Sequence, residues 1–99
     1  MPIKNTTTFV RPDTTNPFWT FSDTVQAHVD TTYIVPGKLT PGLTQLSVDG
    51  LTRTRIVTWL DQASQDDYIA DPIIQAAYKE REQYCRAHSH TKTAINQEI

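Results

Sequence analysis

Residues 43–60, LTQLSVDGLTRTRIVTWL, constrain this chain more than any other segment. Two runs rich in apolar and β-branched residues, 43–48 and 51–60, flank Asp49-Gly50. A two-residue type I′ connection needs positive φ at both central residues, which Asp and Gly tolerate. The pattern predicts a β-hairpin with Val48 opposite Leu51, Leu46 opposite Arg53 and Leu43 opposite Ile56. Along the second strand Arg53, Arg55, Val57 and Trp59 alternate with Thr54, Ile56, Thr58 and Leu60. Both faces gain apolar weight toward the far end, so that end is expected to be covered on both sides.

The hairpin runs straight into helical sequence. Asp61, Asp66, Asp67 and Asp71 follow the second strand within twelve residues. Asp61 precedes QASQDDYIA, where a short acceptor satisfies the free N–H groups of a first helical turn. Asp71 precedes Pro72, and Pro is favoured at the first helical position. These two predict N-caps for a short helix and a long one. Asp66 and Asp67 are neighbours about 100° apart on a helix, so they do not grip one ion together. Capping and solvation account for the four carboxylates better than a catalytic or metal cluster does. The long helix is predicted over 72–88, with Ile74, Ala77, Tyr78, Arg81, Cys85 and His88 sharing its inner face. Residues 89–99 form a last strand, over 91–96, or a loose tail.

The first half is richer in Thr and Pro. Residues 3–11 suit a strand that Pro12 ends, with Phe9 and Val10 on opposite faces. Residues 12–42 read as a loop-rich connection containing Phe18 and Trp19. Within it Ser22 or Asp23 caps a helix over 23–32, where Val25, His28, Val29 and Thr32 recur at helical spacing. Pro36-Gly37 and Pro41-Gly42 bracket a loop. The order β-α-β-β-α-(β) predicts one α+β domain over 1–99. Its arrangement is ferredoxin-like, with helices on one face of an antiparallel sheet. A chain of this length has a thin core. A second copy covering the bare sheet face, with Phe18, Trp19 and Trp59 at the contact, is the expected remedy.

Composition removes several function classes. The net charge is −2 and the basic residues are scattered, which argues against nucleic acid. No apolar run approaches the ~18 residues of a membrane span. The N-terminus MPIKNTTTFV lacks the apolar stretch of a signal peptide, and a lone cysteine, Cys85, suits a reducing compartment. Pro2 follows Met1, and the opening MPI resembles that of the tautomerase family for a few residues. Removal of Met1 would free a secondary amine on a strand-initial proline, whereas with Met1 in place the Pro2 nitrogen is an amide and not a base. Cys85, His88 and His90 form C-x2-H-x-H, which a metal could use with His28 or a carboxylate as fourth ligand. The competing account is a small buried residue and a solvated histidine pair at a helix C-terminus. No cofactor is expected. Cys85 with His88 lacks the orienting third group of a nucleophilic site. Arg53, Arg55 and Arg81 either form an anion pocket or do not meet. In the second case the strand arginines flank the hairpin's outer face and Arg81 pairs with a carboxylate. Trp59 and Tyr84 either line a ligand cavity or serve as core and interface aromatics.

The stretch RTRIVTWLDQASQDDYIADPIIQAAYKEREQYCRAH resembles the strand-plus-helix half of dimeric α/β-barrel proteins, the antibiotic-biosynthesis-monooxygenase-like group. That resemblance implies a ferredoxin-like fold paired through its sheets. In the haem-degrading branch an Asn on the first strand, a Trp on a later strand and a His on the second helix make the site. Asn5 and Trp59 match in type, but no histidine lies between residues 29 and 87, so haem chemistry is not implied. The opening TTTFVRP and the segments TWLDQ and ADP resemble short proteins of tailed marine bacteriophages, which implies a virion or assembly component. The expected function is therefore a non-enzymatic structural protein that self-associates, in a virion or the cytoplasm, with other virion proteins as further partners. The alternative is a small-molecule enzyme or binding protein of the dimeric-barrel kind. Its pocket would lie between sheet and helices, lined by Trp59, Tyr78 and Tyr84, with His28 or Asn5 as polar groups. An enclosed cavity of about 300 Å3 or more with converging polar groups separates the alternative from the filled interior of a structural protein.

Overall fold

The computed structural model describes residues 1–99. Its elements run β1 (Ile3–Val10), α1 (Asp23–Val29), a π-helical turn (Asp30–Ile34), β2 (Leu39–Leu46), β3 (Thr52–Trp59), α2 (Gln62–Ala70), α3 (Pro72–Ala87) and β4 (Thr91–Glu98). The chain is an α+β protein. Its four strands form one antiparallel sheet in the order β2-β3-β1-β4.

Local chemistry sets the helix starts. Ser22 caps α1 through its hydroxyl, Asp61 caps α2 at the N–H of Ser64 (2.8 Å), and Asp71 caps α3 at the N–H of Ile73 (2.9 Å). Pro72 fills the first position of α3, where its missing N–H costs nothing. Helix α3 ends at Ala87, and Ser89 follows with a left-handed φ of 58°. The N–H of His90 then reaches back to the carbonyl of Cys85 at 2.8 Å, closing the helix and turning the chain into β4.

The hairpin register is as expected at Leu46↔Arg53, but its turn is different. A type I′ turn puts Asp49 at positive φ, and here only Gly50 has it, at 75°. The reverse turn spans Ser47 to Gly50 instead, closed by the Gly50 N–H to the Ser47 carbonyl at 2.9 Å. The Asp49 carboxylate explains the shift. It accepts from the Ser47 hydroxyl (2.6 Å) and the Leu51 N–H (3.0 Å), an Asx-type arrangement that competes with the mirror-image turn. Pro41-Gly42 is not loop but part of β2. The register steps from Pro41↔Val57 to Thr44↔Arg55, so one extra residue bulges there. An edge strand tolerates Pro41 because its missing N–H faces no partner. Helix α1 stops at Val29 and gives way to the π-helical turn, closed by the Val35 N–H to the Asp30 carbonyl at 2.9 Å. The expected helix over 23–32 is thus a short α-helix and a wider turn. β4 extends to Glu98, two residues beyond the expected strand.

The pairings Ile3↔Trp59, Asn5↔Val57, Thr7↔Arg55 and Phe9↔Arg53 place these eight side chains on one sheet face. The core gathers on that face. Ile3, Leu39 and Trp59 from the sheet pack with Val29, Tyr33, Tyr68 and Ile74 from the helical segments. Three rings meet there edge to face or tilted, with Tyr33–Tyr68 centroids at 5.2 Å and Trp59–Tyr68 at 4.7 Å. The other face carries Lys4, Thr6, Thr8, Thr54, Ile56 and Thr58, none of them buried. Only 13 of 99 residues are buried, so the core is thin even for this length.

Candidate functional site

Between the sheet and the helices lies a cleft of about 290 Å3. The registers build its floor in rungs. Arg53, Phe9 and Lys92 form one, Arg55, Thr7 and Ala94 the next, then Val57, Asn5 and Asn96. The walls come from Trp19 and Phe21 in the segment before α1, from Tyr68 and Gln65 on α2, and from Tyr78 and Arg81 on α3. Gln65 is buried and exchanges two hydrogen bonds with the Asn96 amide, at 3.1 and 3.2 Å. Asn5 joins the same amide ladder, donating to Asn96 at 2.8 Å and accepting from Thr7 at 2.8 Å. These polar groups tie α2 to the edge strand β4.

Four cations face the cleft: Arg53, Arg55, Arg81 and Lys92. The Arg53 guanidinium lies 5.1 Å from the ring centroids of both Phe9 and Phe18. Its Nη2 donates to the Trp19 carbonyl at 3.0 Å, while its buried Nε–H has no acceptor. Arg81 covers the Tyr78 ring at 3.7 Å, a close cation–π contact. No carboxylate pairs with any of the four. The chain's ion pairs are His28–Asp71 at 2.6 Å and Lys38–Asp67 at 3.6 Å, both outside the cleft. Burial, then repulsion from Arg55 and Arg81, lowers the Arg53 pKa. Burial and Arg81 lower that of Lys92 in the same way. A second hollow of about 350 Å3 lies on the hairpin, lined by Gln45, Leu46, Ser47, Thr52 and Thr54. It is more open and lacks any charged group, so the inner cleft is the candidate site.

Of the residues singled out as pocket lining, Asn5, Trp59 and Tyr78 come together here, and His28 and Tyr84 do not. His28 is engaged with Asp71, and the Tyr84 hydroxyl donates to the Pro17 carbonyl. Trp59 is 3% exposed, a core position with its ring against Tyr33 and Tyr68. Trp19 lines the cleft and packs edge-on to Phe21. Phe18 sits under Arg11 at 4.3 Å and against the His90 ring. All three aromatics therefore lie among helix-side and loop contacts rather than on the threonine-rich face. Arg53 and Arg55 point into the cleft, not along the hairpin's outer face, and Arg81 has no carboxylate partner. The strand alternation was visible in the sequence; the choice of face came from β1, whose Ile3 and Phe9 dictate which side is covered.

Cys85 is buried on α3, and burial raises its thiol pKa. The His88 ring lies tilted against Tyr84 with centroids 4.5 Å apart, and His90 is buried between Phe18 and Tyr84. No group of three or more His, Cys, Asp or Glu side chains is placed to hold a metal ion. No helix is long and apolar enough to cross a membrane.

A node that sequence reasoning missed centres on Asp71. Besides capping α3, its carboxylate accepts from the Tyr33 hydroxyl (2.6 Å) and pairs with His28 Nε2 (2.6 Å). Burial pushes its pKa up, but hydrogen bonds from Tyr33, His28 and the Ile73 N–H outweigh this and hold it at about 2. The node fastens α1 and the π-helical turn to the α2–α3 junction. Searches of protein families, characterised proteins and solved structures find no match to the chain.

Proposed function

We propose that this chain is a small ferredoxin-like module that binds an organic small molecule between its sheet and its helices. The strand order β2-β3-β1-β4, with helical crossovers between β1 and β2 and between β3 and β4, supports that fold. The carrying observation is the cleft itself. A volume of about 290 Å3 walled by Trp19, Phe21, Tyr68 and Tyr78 falls just short of the roughly 300 Å3 at which small-molecule sites begin, and so fits a small ligand. Its lining holds no carboxylate, histidine or cysteine. Burial raises the pKa of Tyr68 far from neutrality. With no carboxylate, imidazole or thiol in the lining to act as general base, binding fits the arrangement better than acid–base turnover. The test is an aromatic fragment set titrated against the tryptophan fluorescence of the full chain. Saturable quenching is expected, and Ala94→Trp, which fills the cleft from the exposed edge strand, should abolish it. No saturable binding up to millimolar concentration, or binding indifferent to Ala94→Trp, sinks the proposal.

Self-association through the open sheet face is a second reading, favoured by the surface. A monomer of 11.3 kDa is expected to expose about 5,700 Å2, and this chain exposes 6244 Å2. The open face includes the rung Ile56–Thr6–Ile95, and Ile95 is 63% exposed. Native mass measurement tests it. A concentration-independent monomer rules it out and leaves the cleft untouched.

A further inference from the structure

Resting on the cleft as the binding site, we infer that its ligand is an organic oxyanion. A carboxylate or phosphate head would meet Arg53, Arg55, Arg81 and Lys92, and an apolar body would lie toward Val57 and Trp59. The charge distribution carries this. The chain has nine basic and eleven acidic residues, yet four of the nine basic ones line this cleft and none of the acidic ones does. Like charges brought together and partly desolvated repel each other, and proteins ordinarily relieve this with carboxylates. Here the acids lie elsewhere, on caps, turns and solvated helix faces.

The Arg53 Nε–H adds an independent observation. It is buried and unpartnered, while Nη2 on the same edge of the guanidinium donates to the Trp19 carbonyl. A buried donor without an acceptor is costly, and a charged one more so. Guanidinium groups present paired donors that match the two oxygens of a carboxylate or phosphate. An incoming oxyanion supplies both the missing acceptor and the missing charge.

The strand fixes the orientation. Arg53, Arg55, Val57 and Trp59 share one face of β3, and alternate residues are about 6.6 Å apart. Charge therefore falls off along the floor over roughly 20 Å, from a doubly cationic end to an aromatic one. A purely inorganic anion uses only the first half of that gradient. An apolar molecule without a charged head uses only the second.

Two matched ligand pairs test this on the full chain at low salt: octanoate against 1-octanol, and phenyl phosphate against benzyl alcohol. Calorimetry gives the affinities, and the Arg53 Nε–H resonance reports contact at the head site. The expected result is that at least one anion binds tenfold or more tighter than its neutral partner and shifts that resonance. Arg55→Gln and Arg81→Gln should each weaken it about tenfold. The Arg55 side chain makes no hydrogen bond within the chain, so its variant is expected to fold, and a thermal melt confirms this. Equal binding of anion and neutral partner overturns the oxyanion inference while the cleft stands. An anion preference indifferent to both substitutions overturns it as well. Binding of none of the four probes up to several millimolar removes the cleft reading and the inference together.

Discussion

Asp71→Ala tests the joint that holds the cleft's roof in place. The native carboxylate does three things: it caps α3, it accepts from Tyr33 and it pairs with His28. Loss of an N-cap costs about 1 kcal/mol. Tyr33 is 3% exposed, so removing its charged acceptor leaves the buried hydroxyl only a long contact to the Asp67 carbonyl at 3.4 Å, at about 1.5–3 kcal/mol. The His28 side chain is 27% exposed, and water replaces much of its lost partner. The expected total is about 2.5–4 kcal/mol, a large part of the 5–15 kcal/mol typical of a domain. Urea unfolding followed by tryptophan fluorescence at pH 7 measures it. A double-mutant cycle isolates the Tyr33 contribution. In a Tyr33→Phe background no hydroxyl is left to strand, so Asp71→Ala should cost only about 1 kcal/mol more, the cap alone. Coupling between the two sites is then about 2 kcal/mol. A cycle that closes additively, or a single-mutant loss below about 1 kcal/mol, refutes the account of the node. Gln26 and Val29 on α1 line the cleft, so the same substitution should also weaken any ligand found there.

The same carboxylate sets an acid limit. Its folded pKa is near 2, against about 3.9 unfolded, so its stabilisation is complete above pH 4 and fades as pH falls toward 2. About 2 kcal/mol should disappear over that window, and Asp71→Asn should flatten the loss in stability measured by urea titration between pH 5 and 2. Gly42→Ala brings a Cβ to 2.6 Å from the Ile56 carbonyl, a backbone atom that cannot step aside. It should cost about 1–3 kcal/mol and accelerate amide exchange in β2, whereas unchanged exchange there contradicts the bulge geometry. Cys85 is buried with a raised thiol pKa, so alkylation of the folded chain at pH 8 should be slow and should become fast in urea.

What the sequence disclosed and what it hid divide along contact range. The caps at Asp61 and Asp71 were legible because capping needs only a side chain and the next three residues. The order of strands and helices was legible for the same reason, since alternation and helical spacing are local. The hairpin register followed from its length, but the turn did not, because Ser47 gave Asp49 a better use for its carboxylate than positive φ. The π-helical turn at 30–34 was invisible. Its β-branched residues argue against a helix, and Tyr33 is held in place by Asp71, 38 residues away. The face of β3 was undecidable locally because Val57 and Trp59 on one side balance Ile56 and Leu60 on the other. Only pairing with β1 breaks that tie, and Ile3 and Phe9 then draw the arginines under the helices.

That tie-break explains why fold and candidate site share residues. β3 is apolar at its Trp59 end and cationic at its Arg53 end, so the core can close fully only at the first. At the second, the segment 12–22 has to cover guanidinium groups instead of aliphatic chains. It does so with Phe18 stacked on Arg53 and Arg11, and with the Trp19 carbonyl bound to Arg53. Aromatic rings suit this task because they accept a cation on the face without neutralising it. The stacking covers the charges and leaves the repulsion between them in force. Carboxylates at the same positions would have closed the chain more stably and filled the cleft. The balance therefore predicts that Arg53→Met, with similar length and no charge, stabilises the unliganded chain and removes its affinity for the oxyanion probes. Loss of stability with affinity unchanged would place Arg53 in the structural frame alone.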